Sequence, residues 1–300
     1  MPLLLTEAAK LSRDDFQRGV VEEIITEDAL YALLPFTQTQ NRVYSYVREG
    51  TIAGGAWAAA YDTLEESAST YTEVDTRVKA LIGQVDLDNL TVVSESNIND
   101  QVALQVASKT KGMSRQFRDN LINGDADADP KTFDGLKKLV VPAQTLEAGA
   151  DGAAVSLAAL DELKDAVPLR PDFFLMRRGT WRSIRGLLRA MGGNMADTMM
   201  IPNFGQPVPC YDGTPILFSE FIKADEEQGT NDATTSIYAV RANEADGVHG
   251  LFLGGHAGLN VTNMGDLEDK DAMRIRLRWY AGLALKATHS VARLKGITNI

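Results

Sequence analysis

Residues 96–123 read SNINDQVALQVASKTKGMSRQFRDNLIN, and Gly124 follows. Ile98, Val102, Val106, Met113, Phe117 and Leu121 recur at spacings of about four, the repeat of one helix face. Ser96 is a suitable N-cap and Gly124 a suitable stop. The pattern predicts one helix over 96–123, about 40 Å long at 1.5 Å per residue. Such a helix spans a whole domain and can serve as its backbone.

Upstream, residues 42–82 read as a long β-hairpin. Arg42-Val-Tyr-Ser-Tyr-Val-Arg48 alternates, and Val74, Thr76, Val78, Ala80 and Ile82 alternate on the return. Between them lie Gly50, Gly54, Gly55 and the small-residue run Ala56 to Ala60. A tip of that composition cannot build a core, and a free-standing two-stranded hairpin is marginal in water. It needs a partner surface. Residues 1–35 read as a helical arm. Ser12 and Asp15 form a capping box with Asp in place of Glu, and Phe16, Val20, Val21, Ile24 and Ile25 follow at helical spacing. A second apolar stretch, Leu30 to Leu34, stops at Pro35. An amphipathic arm must bury its stripe, on its own domain or on a neighbouring subunit.

Downstream, Asp125, Asp127 and Asp129 resemble the first half of a calcium loop. Pro130 stands where that loop needs glycine and Leu136 where it needs a bidentate Glu, so a solvated turn is expected. Residues 140–258 then alternate helices (156–167 and 180–191) with short strands (173–176, 215–218, 236–240 and 250–253). Turns at Asp212-Gly213 and Asp246-Gly247 punctuate them. Residues 259–297 return to strands. Arg274, Arg276 and Arg278 alternate with Ile275, Leu277 and Trp279, and Gly282 to Val291 reads as a further strand. The fold class is α+β, and the 140–258 unit is expected to be inserted into a first domain.

The residues carry no enzymatic signature. There is no P-loop, no GxGxxG opening a helix, no GxSxG elbow and no HExxH. The stretch from Val248 to His256 holds no carboxylate or thiol to complete a ligand set with His249 and His256, and His289 reads as a polar residue in an apolar strand. Cys210 reads as a small residue beside a turn. No catalytic, cofactor-binding or metal-binding residue is predicted, and no cofactor. Arg178, Arg182, Arg185 and Arg189 share a helix face beside Arg177. That face can be solvated, can pair between subunits, or can meet phosphate.

Composition agrees. The 300 residues are 44% hydrophobic and 24% charged, ordinary for a globular chain. A net charge of -11 opposes any general grip on nucleic acid. One cysteine precludes an intrachain disulfide and suits a reducing compartment. No apolar run approaches about 18 residues, so neither a membrane span nor a membrane partner is expected. The start, Met1-Pro-Leu-Leu-Leu5, lacks the basic region of a signal peptide.

The order of elements resembles the major capsid proteins of tailed phages with the Hong Kong 97-type fold. Asn123-Gly-Asp with Phe133-Asp-Gly-Leu136 resembles the loop after that family's spine helix. Pro171 to Met176 before Trp181 resembles the opening of its axial domain, and Tyr211 to Ile216 a strand entry within it. Asp271 to Leu283 and Ala292 to Ile297 resemble the family's ending. The resemblance implies an N-terminal arm (1–40), an E-loop hairpin (41–82), a peripheral domain (83–139 and 259–300, spine helix 96–123) and an axial domain (140–258). It implies hexamers and pentamers of the chain closing an icosahedral shell around double-stranded DNA in the virion, assembled in the host cytoplasm. The implied partners are a portal protein, a separate scaffolding protein (since Met1-Pro2 leads straight into the arm) and, in some members, a decoration protein. Some members weld subunits through an E-loop lysine. Residues 42–78 contain none and the nearest is Lys79, so no weld is expected. An encapsulin-type compartment shell shares the fold. A soluble enzyme without a local motif is the reading from a different class.

Overall fold

The computed structural model describes residues 29–59, 63, 66–89, 98–190, 192, 198–201, 207–254 and 258–299. Ser12, Asp15 and the apolar stripe of the arm, Ser96, Gly193 and His256 lie outside them. The long helix, here α2, runs Ile98–Asn123, preceded by α1, Ala29–Leu33. Val106, Met113, Phe117 and Leu121 are buried, as their spacing predicts. The stripe has a further member. Thr110 is buried between Val106 and Met113, its hydroxyl donating to the Val106 carbonyl at 2.8 Å, so a polar residue fills the apolar row.

The helix lies on a five-stranded sheet. Its strands are β1 (Phe36–Thr39), β4 (Lys79–Asp88), β12 (Val248–Leu253), β13 (Asn260–Asp266) and β14 (Ala272–Leu285). Gly83 makes the close approach possible, because a Cβ there would sit 2.7 Å from the Met113 sulfur. Along β14, Ile275, Leu277 and Trp279 point inward and the arginines outward, as their alternation predicts. Arg274 and Asp86 face each other in register, and the Arg274 Nε and Nη2 each donate to a carboxylate oxygen of Asp86 at 2.7 Å.

The hairpin is shorter than its sequence suggests. Strands β2 (Val43–Glu49) and β3 (Tyr71–Arg77) pair only with each other. At Val78 the chain leaves the hairpin, and Lys79 onward becomes β4, paired with β14. The inward parity flips there. Val74, Thr76 and Val78 face protein, but then Leu81, Val85 and Leu87 do, leaving Ala80 and Ile82 exposed. Both strands alternate, so the pattern runs smoothly across a bend that reverses its phase.

The second sheet has eight strands. These include β5 (Thr145–Glu147), β6 (Phe173–Met176), β7 (Thr198–Met200), β8 (Pro207–Tyr211) and β9 (Thr214–Phe218). The others are β10 (Glu226–Gln228), β11 (Asn231–Val240) and β15 (Val291–Ile297). The short helix α3 is Leu136–Leu139. Helices α4, Leu157–Asp165, and α5, Arg178–Ala190, pack on one face through Leu160, Leu163, Trp181 and Ile184. Ser156 caps α4 by accepting from the Ala159 amide. Asp212 and Gly213 both have positive φ, the hairpin turn that Asp-Gly favours, and buried Cys210 lies just before it.

The sheets cut across the boundaries expected from sequence. Strand β12, expected inside the 140–258 unit, joins the five-stranded sheet. Strand β15, expected with the C-terminal strands, lies between β5 and β11 in the eight-stranded one. Gly282 to Val291 is not one strand. Strand β14 ends at Leu285, and a 3-10 turn at Thr288–Ser290, holding His289, leads to β15. The chain thus crosses between sheets three times, from β4 to β5, β11 to β12 and β14 to β15, and the last two crossings bond to each other. The Arg241 amide donates to the Ser290 carbonyl at 2.9 Å, and the Ser290 hydroxyl to the Asp246 carbonyl at 2.6 Å.

Candidate assembly surfaces

Among the described residues, no group of three or more His, Cys, Asp or Glu side chains is placed to hold a metal ion. The three aspartates after α2 are used locally. Lys138 lies 3.1 Å from Asp125 and 2.6 Å from Asp127, and the Asp129 carboxylate accepts from the Lys131 amide. The lysine bond holds the Asp125 carboxyl below its ordinary range. The loop closes on two glycines. A Cβ on Gly124 would lie 2.3 Å from the Phe133 carbonyl oxygen, and one on Gly135 2.5 Å from that of Asn120.

A second polar cluster is buried in the eight-stranded sheet. Glu226 accepts from Ser236 and from Arg293 at 2.9 Å, and pairs with the Lys137 ammonium at 3.4 Å. Arg293 also lies over the Tyr238 ring at 5.7 Å. The cluster ties α3, β10, β11 and β15 together.

The hairpin is the first candidate surface. Its inner face is anchored at the base. The Tyr46 hydroxyl donates to the Leu285 carbonyl at 2.5 Å, and Arg48 donates to the Leu285 and Lys286 carbonyls at 2.8 Å. Tyr44 meets the edge of buried His249 at 5.7 Å, over Val78, Leu251 and Ala284. Burial raises the pKa of Tyr46 and lowers that of His249. The outer face carries Val43, Val47 and Tyr71, all exposed.

Beyond the strands, rungs join the two described arms of the hairpin. The Gly50 amide donates to the Thr70 carbonyl at 2.8 Å, the Thr70 amide to that of Thr51 at 3.0 Å, and the Ala53 amide to the Ser69 hydroxyl at 2.9 Å. Ile52 is 76% exposed and Trp57 fully so, and no atom lies within 4 Å of a Cβ built on Gly54 or Gly55. A tryptophan side chain offers roughly 150–250 Å² for burial, and an apolar group left bare at that scale marks a contact surface.

The exposed arginines form the remaining candidate. Arg178, Arg182, Arg185 and Arg189 are exposed on α5, with Arg178 over the Phe218 ring at 5.3 Å. Arg177 departs from them, donating to the Ile222 carbonyl at 2.6 Å. The sequence flagged all five; only the fold separates Arg177, turned to the Ile222 carbonyl, from the four exposed ones.

A subunit of two sheets, one long helix and a projecting hairpin is the fold of capsid shells. Solved structures agree on it. A Synechococcus elongatus PCC 7942 encapsulin matches at TM-score 0.70 and 23% identity, covering 91% of this chain and 89% of that one. The capsid of a native GTA particle matches at 0.64 and 16%, covering 91% and 90%. A chain of Mycobacterium phage Adephagia matches at 0.62 and 11%, covering 89% of each. No curated protein matches the sequence. The sequence matches the Phage capsid family over residues 9–295, so the chain belongs to that family and is a major capsid protein with the Hong Kong 97-type fold.

Proposed function

We propose that this chain assembles, as hexamers and pentamers, into the icosahedral head that encloses the double-stranded DNA of a tailed phage. The observation that carries the reading is the hairpin, fixed at its base by Tyr46 and Arg48 yet bare at Ile52 and Trp57. That tip is completed when a neighbouring copy covers it. The role is structural and involves no catalysis. Assembly takes place in the host cytoplasm, guided by a separate scaffolding protein, with a portal protein at one vertex for DNA entry and a decoration protein as an optional outer partner. DNA contact is non-specific and local, because the chain's charge of -11 opposes it elsewhere. The similarity to an encapsulin favours a second reading, a compartment shell. Contents separate the two. Purified particles are imaged, digested with nuclease outside, opened, and assayed for nucleic acid and protein. The head reading expects protected duplex DNA and a portal. Particles holding a cargo enzyme and no DNA contradict it.

A further inference from the structure

The two helices on one face of the eight-stranded sheet display opposite charges. On α4, Asp161, Glu162 and Asp165 are exposed. Its only cation, Lys164, is turned to Asp212, so the outward face of α4 is acidic. Asp161 accepts from the Tyr211 hydroxyl at 2.8 Å, while the carboxylates of Glu162 and Asp165 meet no partner among the described residues. On α5, Arg178, Arg182, Arg185 and Arg189 form the outward row. Arg185 and Arg189 make no hydrogen bond, ion pair or ring contact among the described residues, and none of these residues' ion pairs joins α4 to α5.

The spacing of the two rows matches. Asp161 and Asp165 are four residues apart, as are Arg185 and Arg189, so each pair stands about 6 Å apart along its axis. Lateral packing of subunits that each carry -11 needs cationic surface aimed at carboxylates.

We propose that the arginine row of α5 in one copy docks on the carboxylates of α4 in the next. This rests on the self-assembly proposed above. The two surfaces differ, so the contact is head-to-tail, the type that closes into rings and hence into capsomers.

A charge swap tests it in the full-length chain. Arg185→Glu with Arg189→Glu is one variant, Glu162→Lys with Asp165→Lys the second, and all four changes the third. Circular dichroism and thermal melting check that each monomer folds, which exposed positions should permit. Light scattering and negative staining at low salt then give the concentration for half-assembly. Each double variant is expected to raise it about tenfold or more, and the fourfold variant to return it to within about threefold of wild type. Double variants that assemble like wild type overturn the proposal, as does a fourfold variant as impaired as the doubles. Normal assembly combined with lost retention of duplex DNA also overturns it, assigning the row to phosphate. A wild-type chain that never assembles, even with scaffolding protein supplied, contradicts the function itself and this pairing with it.

Discussion

The rings of Phe117 and Trp279 lie 4.2 Å apart, centroid to centroid, and join the long helix to the 14-residue strand β14. Tyr31, Phe36 and Phe133 gather around Phe117 at 5.7–6.4 Å. Truncating a buried Phe costs about 3–5 kcal/mol. Phe117→Ala is expected to lose that much in urea unfolding of the monomer. Trp279→Phe is expected to cost less than Phe117→Ala, since it keeps an aromatic ring and the indole nitrogen it removes is buried with no hydrogen-bond partner among the described residues.

Gly124 and Gly135 are expected to refuse a side chain. Each added Cβ would meet a backbone oxygen at 2.3–2.5 Å, which no side-chain rotation relieves. Gly124→Ala and Gly135→Ala should leave the chain insoluble or strongly destabilised. Gly54→Ala, in open space, should leave monomer melting unchanged. Soluble yield and melting temperature of the three variants check the contrast.

Stability should fall on acidification through His249. Burial lowers its pKa, and the charge of Lys286 acts in the same direction, opposed by the Gly247 backbone and by Glu244. The unfolded chain therefore binds the proton more readily than the folded one. The contribution is complete above the ordinary histidine value of about 6.5 and is lost as pH falls through the lower folded value. Melting temperature measured from pH 7.5 to 5 should decline in wild type, and less steeply in His249→Gln.

No covalent weld between subunits is expected. Lys79, the lysine closest to the hairpin, lies on β4 and donates to the Pro130 carbonyl at 2.5 Å. Boiled particles should run as one band near 32.6 kDa under reducing conditions. A ladder of heavier species would count against this.

The long helix was legible because a buried stripe over many turns leaves a strong period. Strand β6 was legible because Phe173 to Met176 is an apolar run bounded by Pro171 and Arg177. The course of the strands was not. The phase flip at Val78 is a tertiary event in a continuing alternation, and the exchange of β12 and β15 between sheets depends on pairings far apart in sequence. The hairpin's bare tip was legible in its glycines and alanines. Its anchoring did not, because the Leu285 and Lys286 carbonyls that hold Tyr46 and Arg48 are main-chain atoms with no sequence signal.

The mass of the assembled protein tests the central claim most directly. Native mass measurement of the purified chain, across concentration and salt, is predicted to find closed particles of megadalton mass. Their mass should be a whole-number multiple of 32.6 kDa, once contents are subtracted. A chain that stays at 32.6 kDa under every condition, with scaffolding protein supplied, would contradict the account.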